Sequence, residues 1–216
     1  MYMHDLLELF RELTKEGWIV AHGGLYIVMF IIFAETGLFV GFFLPGDSLL
    51  FVSGMLIAKS HTPFANPYLD LIYWVILLAF AAIAGNLLGF WFGRKSGHLW
   101  FEKRDTWIFK KRHLVQAHEF YEKRGVMAII LGRFLPIVRT FAPLVAGIVD
   151  MDRKKFISYS ILGALAWVTS MTLAGFLLGK NEWVEKNIDI IVVLIIVITT
   201  GPVLFKMIFG RKKTNS

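Results

Sequence analysis

Residues 17–58 are apolar almost throughout and carry only two full charges, Glu35 and Asp47. As one straight helix this tract would be roughly 63 Å long, about twice the thickness of a bilayer's hydrocarbon core. The tract must turn back on itself, and Leu44-Pro45-Gly46-Asp47 is where it can. Pro45 removes a backbone donor and Gly46 permits a tight turn. Residues 17–34 can cross a membrane once. Residues 36–44 and 48–58 are then arms too short to cross, which suits a re-entrant hairpin over 36–58.

A second interrupted tract covers residues 125–149, where Arg133 and Arg139 are the only full charges and Pro136 and Pro143 fall close by. Its prolines, Gly132 and Gly147 favour a second re-entrant hairpin. Residues 68–93, 157–179 and 188–209 read as further spans. Residues 4–16 place Leu6, Leu9, Phe10 and Leu13 at helical spacing, so 1–16 reads as an amphipathic helix lying on the membrane. The expected fold is therefore all-α: a polytopic membrane protein with four transmembrane helices and two opposed re-entrant hairpins. Residues 17–93 form the first repeat, 94–124 a basic segment, 125–179 the second repeat and 188–209 the last helix.

Composition agrees. The 216 residues are 56% hydrophobic, and the mean hydropathy is +0.62, outside the range of ordinary soluble domains. There is no cysteine, which excludes disulfides, thiol nucleophiles and cysteine-based metal sites. The acidic residues among the first 16 argue against a short basic signal-peptide n-region. Net charge is +7, better explained by Lys- and Arg-rich cytoplasmic loops than by nucleic acid.

Loop charges test the layout. Segment 94–124 holds nine Lys and Arg against four acids, and 152–155 and 211–213 are basic too. Loops 59–67 and 180–187 are nearly neutral. Two hairpins that return to their side of entry put every basic segment on one face, which the positive-inside rule makes cytoplasmic, with both termini. Phe43-Leu44-Pro45 recurs as Phe134-Leu135-Pro136, each followed by a small-residue pair, Ser53-Gly54 and Ala146-Gly147. The first hairpin enters from outside and the second from inside, giving an inverted repeat of the kind many secondary transporters use.

The four intramembrane charges are the candidate site. Each costs ~2.5–3.5 kcal/mol to insert unpaired, and two acids with two arginines sum to zero. One reading is a buried ion cluster that only holds the hairpins together. The functional reading is that Arg133 and Arg139 offer planar forks for a phosphate, while Glu35 and Asp47 either carry protons or simply balance the arginines. Gly85, Gly89 and Gly93 recur every fourth residue and read as a helix-packing face. His113 and His118 read as surface residues, and no metal-ligand spacing stands out. The seven tryptophans, among them Trp18, Trp100 and Trp183 near span ends, read as interfacial anchors.

Glu35 followed by Pro45-Gly46-Asp47-Ser48, the run Gly85, Gly89-Phe90, Gly93-Arg94 and Gly97, and the block Gly132-Arg133-Phe134, Pro136, Arg139, Pro143 and Gly147 resemble the DedA family, also described as SNARE-associated or VTT-domain membrane proteins. The likeness covers about residues 20–180. It implies a bacterial inner-membrane protein whose two re-entrant hairpins face each other, and translocation of undecaprenyl phosphate or of a phospholipid such as phosphatidylethanolamine. For some members it implies dependence on the proton-motive force. The family's essential acids fall on Glu35 and Asp47, and its arginines on Arg133 and Arg139. Where this chain has Asn86, an acid often stands in the family.

The function expected is a non-enzymatic flippase or scramblase for an anionic lipid, most of all undecaprenyl phosphate, with hairpin breaks at Pro45, Gly46, Pro136 and Pro143 and no cofactor or metal. The rivals are a phosphatidylethanolamine flippase, a proton/cation antiporter using the acids alone, a polyprenyl pyrophosphate phosphatase and a non-transporting scaffold. The phosphatase lacks a Ser–His pairing in the membrane segments.

Overall fold

The computed structural model describes residues 24–38, 46–59, 63–102 and 136–187, with isolated helical positions between 190 and 197. The expected helices at 1–16 and 188–209, most of the basic 94–124 segment, and Pro45 and Arg133 lie outside the described residues. Within them the chain is all-helical. The helices are α1 (Leu25–Gly37), α2 (Gly46–Lys59), α3 (Pro67–Glu102), α4 (Pro136–Ile148), α5 (Arg153–Leu178) and the short α6 (Glu182–Lys186).

Local chemistry explains the boundaries. The Asn66 side chain accepts the Tyr68 N–H at 2.9 Å, and Pro67 takes the first helical position, where its missing N–H is harmless. Asp152 caps α5 by accepting the Lys155 N–H at 2.8 Å, and Asn181 caps α6 by accepting that of Trp183 at 2.9 Å. α2 starts directly after Pro45, with Asp47 in its first turn, where a negative charge suits the helix dipole. α4 starts at Pro136.

α3 over Pro67–Ser96 and α5 are apolar helices of 30 and 26 residues, each long enough to cross a membrane. Their outward residues, among them Ile72, Ile76, Phe80, Leu162, Leu173 and Leu177, are exposed, as expected of a lipid-facing surface. α2 differs: every residue from Gly46 to Ala58 is buried. A helix apolar all round belongs in the interior, and α1, α3 and α5 enclose it.

Contacts at the two ends of each helix pair give the directions. Phe90 stacks on Phe156 at 4.4 Å and Tyr68 meets Phe176 at 5.7 Å, so α3 and α5 are antiparallel. Asp47 reaches Trp167 while Met55 lies against Gly179, so α2 runs parallel to α5. Arg94 pairs with Asp150 at 2.8 Å, and Gly93 abuts Leu144 and Gly147, so α4 ends level with the far end of α3. Tyr26 meets Trp74 at 4.9 Å and Gly37 meets Gly85, so α1 runs parallel to α3.

Two expectations change. Residues 17–23 of the expected 17–34 span lie outside the described residues; from Gly24, at φ 62, the chain starts a helix of 13 residues at Leu25, about 20 Å long and shorter than the hydrocarbon core. α1 also runs with α3, whereas a preceding span would run against it. α1 packs mainly on α3 and also touches α2, and the helices flanking Pro45 are 25–37 and 46–59 rather than the expected arms at 36–44 and 48–58. Side-chain hydropathy carries no trace of the break, which is a backbone conformation open to glycine. The second change concerns Pro143, which lies inside α4 and does not end it; what it removes is the N–H that would bond the Arg139 carbonyl one turn earlier.

The Arg94–Asp150 pair also brings the start of the basic segment and the 152–155 cluster to the same end of the molecule. The chain therefore leaves α3 and enters α5 at one face.

Candidate functional site

Glu35 sits in the last turn of α1, and Asp47 in the first turn of α2. The end of α1 and the start of α2 lie against each other. The approach is close enough that a Cβ on Gly46 would fall on the Glu35 carboxylate, which gives glycine a packing reason to stand there. Arg139, one turn into α4, completes the cluster. Its Nη1 donates to Asp47 Oδ1 at 2.7 Å, and its Nη2 pairs with Glu35 Oε1. All three are buried: Glu35 is 1% exposed, Arg139 4% and Asp47 7%.

One guanidinium thus divides its fork between two carboxylates brought from different helices. The formal charges of the trio sum to −1. Such a group is stable in a low-dielectric interior only while its members remain paired, because removing one partner leaves a buried charge uncompensated, at a cost of about 3–5 kcal/mol.

Trp167, on the middle stretch of α5, is the fourth member. Its indole N–H donates to Asp47 Oδ1 at 2.7 Å, and the Arg139 guanidinium lies over its ring, 4.2 Å from the centroid. It is fully buried. Sequence reasoning passed over it by treating tryptophans as interfacial anchors. The available signal was position: Trp167 falls near the centre of its apolar run, far from either interface.

Several polar atoms around the cluster have no hydrogen-bond partner among the described residues: Glu35 Oε2, Arg139 Nε, Ser48 Oγ and both amide atoms of Asn86. Buried groups left so cost about 1–3 kcal/mol each.

The glycine stripe serves two neighbours. Gly85 backs onto Phe33 and Thr36 of α1, whereas Gly93 backs onto Leu144 and Gly147 of α4. Eight residues turn a helix by about 80° beyond whole turns, so the ends of the stripe face different helices. Gly89 is buried between them. Elsewhere, Gly54 of α2 fits against Thr172 and Phe176 of α5, and Gly175 of α5 against Phe51 of α2.

Of the expected site residues, the structure brings Glu35, Asp47 and Arg139 together. Gly46 stands among them, and Pro136 opens the helix that carries Arg139. Arg133 precedes that helix, outside the described residues.

The VTT domain model matches residues 44–177, which include α2, α3, α4 and nearly all of α5. The chain is 42% identical to Protein DedA of Escherichia coli K12 over 188 residues, covering 87% of this chain and 84% of that one. It is 37% identical over 177 residues to an uncharacterized membrane protein of Mycobacterium tuberculosis, covering 82% of this chain and 75% of the other. With the inner membrane protein YqjA of Escherichia coli K12 it shares 34% identity over 170 residues, covering 77% and 73% respectively. No solved structure matches. With membrane-capable helices, a VTT domain over most of its length and relatives of this closeness, the chain is a membrane protein of the DedA family.

Proposed function

We propose that this protein translocates an anionic lipid, with undecaprenyl phosphate the foremost candidate, across the bacterial cytoplasmic membrane. The observation that carries the reading is the sharing of Arg139, near the start of α4, between Asp47 at the start of α2 and Glu35 at the end of α1.

In this reading α3 and α5 cross the bilayer. α1 with α2, and the segment that ends in α4, are re-entrant hairpins from opposite faces, related as an inverted repeat. α2 and α4 begin at the centre and diverge, so their N-terminal dipole ends converge on one place. Half-helix N-termini aimed at a midplane site are a common way for transporters to hold an anionic group.

The geometry supports a competition. A phosphate needs the same planar fork that Glu35 and Asp47 occupy. Protonation of the carboxylates releases Arg139 to the phosphate, and loss of the protons returns it. Headgroup and proton would then enter together, which gives the acids a part beyond charge balance. Arg133 would supply a second fork. The Lys- and Arg-rich face is cytoplasmic by the positive-inside rule. No step calls for bond cleavage or a nucleophile, so the protein acts as a transporter and not an enzyme.

The test is a headgroup-resolved flipping assay with purified protein in liposomes, with and without a pH gradient. Arg139→Lys keeps the charge and loses the fork. Its rate should fall about tenfold or more, the worth of one charge-assisted hydrogen bond. Wild-type rates in that variant would sink the phosphate-fork reading, and cation-driven proton movement without lipid movement would favour antiport.

A further inference from the structure

Asn86 is fully buried, and neither its amide oxygen nor its amide nitrogen has a partner among the described residues. Its place on α3 is informative. Gly93, seven residues on, lies on the same stripe, since seven residues make nearly two whole turns. Gly93 abuts Leu144 and Gly147 of α4, so Asn86 faces α4 about 10 Å nearer that helix's start. That is the level of Arg139 and Thr140. Its neighbour Gly85 lies against Thr36, the residue after Glu35. Asn86 therefore stands on α3 at the level of the ion cluster, with both halves of its amide unspent.

We infer that Asn86 is a specificity residue that recognises a phosphate monoester headgroup in preference to a diester. The inference rests on the anionic-lipid reading above and goes beyond it in naming the group that reads the headgroup. A carboxamide presents one donor face and one acceptor face. A singly ionised phosphate monoester retains one P–OH, and so offers both a donor and an acceptor. The Asn86 NH2 donates to a P–O oxygen, and its carbonyl accepts from the P–OH. A phosphodiester has acceptors only, so it satisfies the NH2 and leaves the carbonyl buried without a partner. A site built to bond a hydroxyl discriminates strongly against the analogue that lacks it, because its own polar group is stranded. The amide is also neutral: a carboxylate in its place would add a negative charge to a trio that already sums to −1.

The experiment compares wild-type protein with Asn86→Leu and Asn86→Asp in liposomes, using labelled polyprenyl phosphate, phosphatidic acid and phosphatidylglycerol. The first two share the monoester group on different tails, and the third is a diester. Wild type should move both monoesters faster than the diester, and Asn86→Leu should lower the monoester-to-diester rate ratio about tenfold. Asn86→Asp should lower monoester rates further. Preference for polyprenyl phosphate without phosphatidic acid would place selection in the tail and overturn the inference. An unchanged ratio in Asn86→Leu would overturn it and leave the parent reading intact, whereas a wild type that moves no lipid removes that reading. Thermal unfolding in detergent guards against a purely structural role. Leucine in place of an unpartnered asparagine should melt no lower than wild type, and a markedly lower melting temperature would assign Asn86 to packing and reject the proposal.

Discussion

At the scale of single residues the site turns on how many groups claim Arg139. Two carboxylates take its terminal nitrogens and an indole ring lies against its face. Replacing Glu35 by glutamine keeps the shape and removes the ionisable group, bringing the formal charge of the trio from −1 to zero. If Glu35 couples protons to lipid movement, Glu35→Gln should still move lipid, but an imposed pH gradient should no longer accelerate it. A full gradient response in the variant would deny Glu35 that part. Trp167 has two separable roles. Trp167→Phe loses the N–H bond to Asp47 and keeps an aromatic face, at an expected cost of about 1.5–3 kcal/mol in stability, the range for a hydrogen bond to a charged group. Trp167→Leu should lose about 0.5–2 kcal/mol more, the range for a cation–π contact. Unfolding in mixed micelles measures both, and equal losses in the two variants would show that the ring face contributes nothing.

At the scale of elements, the all-helical class and the two long apolar helices α3 and α5 were legible in the sequence. Pro136 opens α4, and α2 begins at Gly46, the next residue after Pro45 in the sequence, which fits the breaks that the repeated Phe-Leu-Pro suggests, since proline's missing N–H is harmless at a helix start. The acids and arginines announced themselves through the cost of burying them. Gly24 did not, since a glycine in an apolar run reads equally as packing and as a break. Nor did the pairing of arms. α2 lies along α5, the span of the other half, and α4 lies along α3, contacts that residues far apart in sequence make and no local pattern encodes. Gly54 and Gly147 are two of the places where these exchanged pairs approach closely: a Cβ on Gly54 would strike the Thr172 carbonyl, and one on Gly147 the Phe90 carbonyl. Gly54→Ala and Gly147→Ala should each lose about 1–3 kcal/mol through overpacking. Because backbone rather than a flexible side chain is in the way, neither should be rescued by shrinking a neighbour. Wild-type unfolding midpoints would mean that the helices separate at little cost.

At the scale of the whole molecule, the exchange of arms ties the two halves into one unit around the ion cluster. Each short helix begins among the charges and ends at a face, α2 toward the start of α3 and α4 toward the start of α5. The two ends of the molecule are therefore chemically distinct. One carries the neutral turn at 63–66, the other Arg94, Lys95 and the Arg153-Lys154-Lys155 cluster. The exposed aliphatic belt on α3 and α5 lies between them, as a bilayer would require. Since the chain has no cysteine, single cysteines can report which end is which without background. In cells, Ala65→Cys should react with a membrane-impermeant maleimide added from outside, and Lys154→Cys should react only once the membrane is permeabilised. The reverse pattern would invert the orientation that the basic cluster implies. Labelling of both from the same side would contradict the antiparallel crossing of α3 and α5, and with it the opposed entry of the two half-helices on which the proposed midplane site depends.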